Sequence, residues 1–309
     1  MEKIVIIVPY FGTFPNNFNL WLKSCEENKN IDFLIITDIK INNKISKNIH
    51  IVNMNIEELR NLIEYKLNEK IKMNSLHKLC DFKPTYGIIF SDYIEKYDYW
   101  GYCDVDMIFG DLEKFFVKYN LKKYDKFLKL GHLSLYRNTV EVNNRYKMSH
   151  NWKNVLNTEK TIGFDEKNGI NEVYFENKFP IFQDCIYADI SAIYKRFRLS
   201  FKEKNYKNQI FYKKNNQIYR KYWINNQEHI DEFIYIHFQK RKLPKEFFDY
   251  THTKSFLITK KGFFKLEENE DIVLEQVKEY NKYPGILYEK AEFLLHKLKM
   301  LKKRIKNIL

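Results

Sequence analysis

Three short β-rich runs, Ile4–Val8, Asp32–Thr37 and His50–Met54, fall among stretches of helical periodicity around Asn17–Glu27 and Ile56–Glu69. Strands interleaved with helices predict a parallel α/β sheet, because a parallel pair needs a long crossover that a helix supplies. Such sheets bind ligands outside the carboxyl ends of their strands, so the residues that close each run are the ones to inspect. The pattern changes at the other end of the chain. Leu287, Ala291, Leu294, Leu298, Leu301, Ile305 and Ile308 recur in steps of four and three, which predicts a helix over 286–309 with one apolar seam among lysines.

Composition narrows the class. With 309 residues, 44% apolar and 17% aromatic, the chain has the material for a sizeable core. Its mean hydropathy is −0.55, and no apolar run approaches the ~18 residues of a membrane-crossing helix. The run Ile4–Val8 is also shorter than the core of a signal peptide. Cys25, Cys80, Cys103 and Cys185 form no CxxC or Cys/His cluster, so neither a zinc site nor a disulfide framework is expected and a cytoplasmic chain is. The net charge of +13 favours anionic partners. Of it, +6 lies in the last 20 residues, which leaves the body only mildly basic.

The first run ends in Pro9-Tyr10-Phe11-Gly12 without a glycine-rich phosphate loop, which weighs against a dinucleotide-binding Rossmann fold and a P-loop kinase. The second ends in Thr37-Asp38, a polar pair that suits either a ligand contact or a side-chain-capped turn. A third candidate is the aromatic strand Tyr99–Cys103 running into Asp104-Val105-Asp106, with Asp111 placed to open the next helix. In an extended chain residues i and i+2 share a face, so Asp104 and Asp106 converge on one cation. Two carboxylates that close repel unless a metal or a basic side chain neutralises them. Hard oxygen ligands suit Mg²⁺ or Mn²⁺, ions that also hold diphosphates.

These residues carry a family resemblance. The opening strand with Pro9-Tyr10, the strand ending Thr37-Asp38, the segment from Cys80 to Gly87 and the Asp104-Val105-Asp106 motif together resemble a nucleotide-sugar glycosyltransferase of the GT-A fold. More closely, Lys78–Pro84 followed by Gly101–Asp106 is similar to a group of uncharacterised bacterial glycosyltransferase-like proteins, often encoded with surface-polysaccharide genes. The resemblance implies a Rossmann-like mixed α/β sheet flanked by helices. It implies Mn²⁺ or Mg²⁺ as cofactor, a nucleoside-diphosphate sugar as donor, and a glycan or lipid-linked glycan of capsule or lipopolysaccharide as acceptor.

It also implies site residues. Asp104 and Asp106 would bind the metal with His237, whose stretch Phe233–Pro244 is similar to a family segment of the form His-aromatic-x-x-x-Lys-Pro, although Gln239 and Lys240 stand where a glycine is frequent. The metal would stabilise the departing diphosphate as a Lewis acid. Lys240, Arg241 or Lys242 would neutralise that diphosphate, and Tyr10, Thr37, Asp38, Asp81, Lys83 and Asp104 would line the donor site. Lys83 would stand beside anionic groups at the start of a helix over Thr85–Glu95. The strand-like segment Gly131–Asn138 would line the acceptor side. Asp165 or Glu166, in the glycine-bounded loop Gly163–Ile170, would serve an inverting enzyme as general base; a retaining enzyme needs no such base, and Gln183 or Asp184 would be its polar group under the anomeric carbon.

The expected organisation is one continuous GT-A-like catalytic domain over residues 1–250 (donor half 1–112, acceptor half 113–250), an extension over 251–285 and the basic helix over 286–309. That helix reads as an anchor on an anionic membrane surface, placing the chain at the inner face of the plasma membrane; a short coiled coil and a terminal helix docked on the domain are the competing readings. Two other functions compete. A nucleic-acid-binding protein would explain the charge, but no RNP, helix-turn-helix or zinc signature accompanies it and nucleic acid is not an expected partner. A GT-A-like nucleotidyltransferase would need a glycine-rich N-terminal loop for a triphosphate, which the sequence lacks.

Overall fold

The computed structural model describes residues 2–43, 45–200, 204–239, 241, 243, 249, 252–282 and 286–306, with side chains left aside at 286–289 and 303–306. The chain divides into two compact units: Met1–Phe14, Cys25–Val105 and Glu113–Cys185 make the first, and Pro15–Ser24, Asp106–Leu112 and Ile186–Leu309 the second. The expected boundary at residue 250 does not coincide with this division.

The first unit is built on β1 (Ile4–Pro9), β2 (Ile31–Thr37), β3 (Ile49–Asn53), β4 (Tyr99–Cys103), β6 (Lys126–Leu130), β7 (Leu133–Arg137) and β8 (Ile181–Phe182), in the order β3-β2-β1-β4-β7-β6-β8; β5 (Met107–Phe109) belongs to the second unit. Helix α1 (Phe18–Glu27) lies between β1 and β2, and α2 (Ile56–Leu67) follows β3. Helix α2 starts on a capping box: the Asn55 side chain accepts from the Glu57 and Glu58 backbone, and Glu58 accepts from Asn55 N–H.

The sheet is mixed where the runs alone predicted a parallel one. Strand β1 pairs parallel with β2 and β4, but β7 pairs antiparallel with both β4 and β6. The reason is local: only Gly131 and His132 separate β6 from β7, and so short a connection makes an antiparallel hairpin. A second difference concerns the helix expected over Thr85–Glu95. The chain is helical there in short pieces, Tyr86–Ile89 and Ser91–Ile94 broken at Phe90, preceded by helical turns at Leu79–Phe82 and Lys83–Thr85. Pro84 offers no N–H to a helix running through it. Gly87 lies so close to β4 that a Cβ would stand 2.5 Å from Trp100 Nε1 and 2.6 Å from Asn143 Oδ1, which hydrogen-bond each other.

The second unit holds two further sheets. One is antiparallel, in the order β12-β11-β10-β14-β15, from β10 (Gln209–Lys214), β11 (Gln217–Ile224), β12 (Gln227–Phe233), β14 (Phe256–Thr259) and β15 (Gly262–Lys265). Its first two turns are Asn215-Asn216 and Asn225-Asn226, all four at positive φ, the conformation a two-residue hairpin turn requires. The segment read as an extension from 251 thus supplies two strands, paired to β10 through β14. The other sheet sets β13 (Tyr235–His237) between β5 and β9 (Ala188–Asp189). Among the described residues no helix is long and apolar enough to cross a membrane.

Gly87→Ala should therefore destabilise the first unit by about 1–3 kcal/mol, the usual cost of forcing a methyl into a filled core. Urea unfolding followed by Trp fluorescence measures it; an unchanged midpoint would show that the Trp100–Asn143 contact yields freely.

Candidate metal and anion site

Apolar runs carry the polar residues of the second unit inward. Phe233–Ile236 is buried, so β13 brings His237 to 7% exposure, and Tyr187–Ile190 does the same for Asp189 at 6%. Ionisable groups this deep need partners. The strand register supplies them, since His237 lies opposite Met107 on one side and Asp189 on the other. His237 Nδ1 is 2.8 Å from Asp189 Oδ1, and its Nε2 is 3.4 Å from Asp106 Oδ1. The other Asp189 oxygen accepts from Ser200 Oγ at 2.8 Å and Gln239 Nε2 at 2.6 Å. Gln239, at the place where a glycine is frequent, takes a left-handed φ of 50° and uses its side chain to hold Asp189.

This arrangement dictates chemistry. If Asp189 accepts the Nδ1 proton, Nε2 of a neutral imidazole presents its lone pair toward the Asp106 carboxylate. That repulsion is relieved by a proton shared between Nε2 and Asp106 or by a metal ion. A carboxylate that fixes the tautomer while the opposite nitrogen faces a hard ligand is the usual support of a metal-binding histidine. The residues present therefore suit a divalent cation.

Asp104 belongs to the first unit and Asp106 to the second; the pair follows a strand end as expected, but in a bend where extended chain was expected. Strand β4 stops at Cys103, β5 starts at Met107, and Asp104–Asp106 forms the bend between them. Asp104 Oδ1 accepts from Lys83 Nζ at 2.7 Å. The same ammonium donates to Gly131 O at 2.7 Å and lies 3.8 Å from Asp165 Oδ2. Burial by itself would lower the Lys83 pKa, but Asp104, Cys80 and Asp165 raise it well above the ordinary lysine value, so it stays charged.

Asp165 and Glu166 are not an open pair of loop carboxylates. Asp165 is buried, and burial pushes its pKa up to about 6 against the pull of Lys83. Glu166 Oε1 accepts from Gly131 N at 2.8 Å. A Cβ at Gly131 would stand 2.3 Å from Asp165 Oδ2, so this contact requires a glycine. Asp81 does not touch Lys83. It is fully buried, takes a 2.8 Å hydrogen bond from the Lys78 ammonium, and accepts from the N–H groups of Ile162, Gly163 and Phe164 at 3.0, 2.9 and 3.0 Å. Its task is to hold the loop that presents Asp165.

The remaining candidates scatter. Tyr10 donates to Thr13 O and stacks on Phe14, Thr37 Oγ1 accepts from Ile39 N in a capped turn, and Asp38, Gln183 and Asp184 are exposed. Arg241 does not face outward as a diphosphate ligand would. Its guanidinium donates to the carbonyls of Ser191, Tyr194 and Lys195 and lies over Phe197. Lys240 and Lys242 lie outside the described residues.

The sequence matches the model of a family described as a family of unknown function, DUF6625, over residues 6–267. The chain belongs to the DUF6625 family. No curated protein matches it. Among solved structures, the galactosyltransferase LgtC, crystallised with donor and acceptor sugar analogs, is similar at a TM-score of 0.35 and 11% identity, covering 60% of this chain and 75% of that one. The DUF6625 match takes in each candidate residue from Tyr10 to Arg241.

Two residues of this DUF6625 chain escaped sequence reasoning. Asp189 carries the signal of a charge set within an apolar stretch, Ile186-Tyr187-Ala188-Asp189-Ile190, and Lys126 that of a lysine leading into Phe127-Leu128. Lys126 is buried, donates to Asn171 Oδ1 at 2.6 Å, and is pushed down to about 7 by that burial.

Asp165 gives a pH test with an unusual sign. The folded chain holds its proton up to about pH 6, whereas an ordinary aspartate releases it near 3.8. Asp165 thus contributes stability that is fully present below 3.8 and is lost as pH rises through about 6. Asp165→Asn should remove this downward slope, by up to ~1.4 kcal/mol per pH unit in that window. Denaturant midpoints measured across it check the claim; parallel curves for the two proteins would show that Asp165 is ionised throughout.

Proposed function

We propose that this chain is a metal-dependent glycosyltransferase that moves a sugar from a nucleoside-diphosphate donor to a glycan or lipid-linked glycan of a bacterial surface polysaccharide. The observation that carries the metal part is His237 with a carboxylate on each ring nitrogen. The sugar part rests on the resemblance of the Asp104-Val105-Asp106 motif, its preceding Lys78–Pro84 segment and the His237 stretch to GT-A enzymes.

Asp106 and His237 would hold Mn²⁺ or Mg²⁺. Bound there, the ion supplies Lewis-acid stabilisation to the leaving diphosphate. Asp189 keeps the His237 Nε2 lone pair aimed at the ion. Lys83 keeps Asp104 ionised and oriented. Asp165 and Glu166 support Lys83 and Gly131 from behind, and Arg241 braces the loop over Ser191–Lys195.

Screening nucleoside-diphosphate sugars for Mn²⁺-dependent release of the nucleoside diphosphate tests the activity. Asp106→Ala should lower turnover by about 10²-fold or more, since the ion's charge stabilisation amounts to several kcal/mol. Asp189→Asn should weaken Mn²⁺ binding by about 10–100-fold while the fold persists. Turnover indifferent to chelators and to both substitutions would contradict the proposal.

A further inference from the structure

The terminal helix Ile286–Lys306 is not absorbed by the proposed reaction. Leu287, Ile305 and Ile308 of its expected seam lie outside the described side chains, and the described seam residues are exposed. Leu294, Leu298 and Leu301 are 59%, 48% and 54% exposed, and Ala291 is exposed beside them. At about 100° per residue these four share one face, while the partly covered Glu292, Phe293 and His296 lie on the opposite one. The same spacing sets Lys290 and Lys297 along one border of the apolar stripe and Lys299 and Lys302 along the other, all exposed.

We propose that this stripe and its basic surroundings form a docking surface for an anionic lipid bilayer. Leucines enter the headgroup boundary while lysines on both borders reach lipid phosphates. A second copy of the chain fits less well. Residues 290–302 hold four lysines and one acid, so a seam-to-seam pair would set lysine borders against each other, where paired helices carry opposite charges.

Flotation of the full chain with phosphatidylcholine vesicles, with and without phosphatidylglycerol, tests this. Binding should require phosphatidylglycerol. Replacing Lys297, Lys299 and Lys302 by Gln should lower partitioning about fivefold per lysine, and high salt should weaken binding without abolishing it. Leu294→Gln with Leu298→Gln should abolish binding with the melting temperature unchanged, because both positions are exposed. Three results would overturn the proposal: a folded full chain that does not float with phosphatidylglycerol vesicles, equal binding to neutral ones, or a concentration-dependent dimer that forms through the leucines while vesicles are ignored.

Discussion

A histidine with a carboxylate on each ring nitrogen needs a proton or a metal ion between its second nitrogen and the second acid, and the arrangement around His237 follows from this constraint. Neutral imidazole has one N–H, which satisfies one acid and turns a lone pair on the other. In His237 the first acid is Asp189, itself held by Ser200 and Gln239, and the second is Asp106. The three elements that meet here are short: β9 has two residues and β5 and β13 three each. Little regular structure is therefore available to hold these groups, and fixing their orientation falls to the hydrogen bonds.

The first unit solves a related problem with ammonium groups. Asp81 is balanced by Lys78 and three backbone N–H groups, and Asp104 by Lys83. Removing one member of a buried pair strands the other charge, typically at 3–5 kcal/mol, so such pairs hold their loops firmly. Asp165 is the exception, since its distance from Lys83 leaves burial dominant and its affinity for protons high.

Much of the first unit was legible because its signals are local. Strands β1 to β3 and helix α2 follow from apolar runs and helical spacing, as does α1, which the two units share. The mixed sheet was not legible from the runs, since its direction turns on the two-residue connection at Gly131-His132. The hairpins of the second unit rest on Asn-Asn turns, yet the same dipeptide at Asn143-Asn144 ends a short helix, so the pair alone does not decide. At the site, the two aspartates of the bend stood out by residue type and spacing, and His237 through the family resemblance of its stretch. Asp189 did not, because its role depends on a parallel pairing between segments 48 residues apart. Arg241 misled for the converse reason: a basic residue beside lysines reads as a phosphate ligand, but both its terminal nitrogens donate to backbone carbonyls.

The central claim is that the Nε2 of His237 faces a divalent cation shared with carboxylate oxygen. Electron spin echo spectroscopy of Mn²⁺ bound to the full chain reads this directly, because an imidazole nitrogen in the coordination sphere modulates the echo. The account predicts nitrogen modulation in the native protein and its loss in a folded His237→Gln variant. Bound Mn²⁺ without nitrogen coupling, or coupling that survives the substitution, would contradict it.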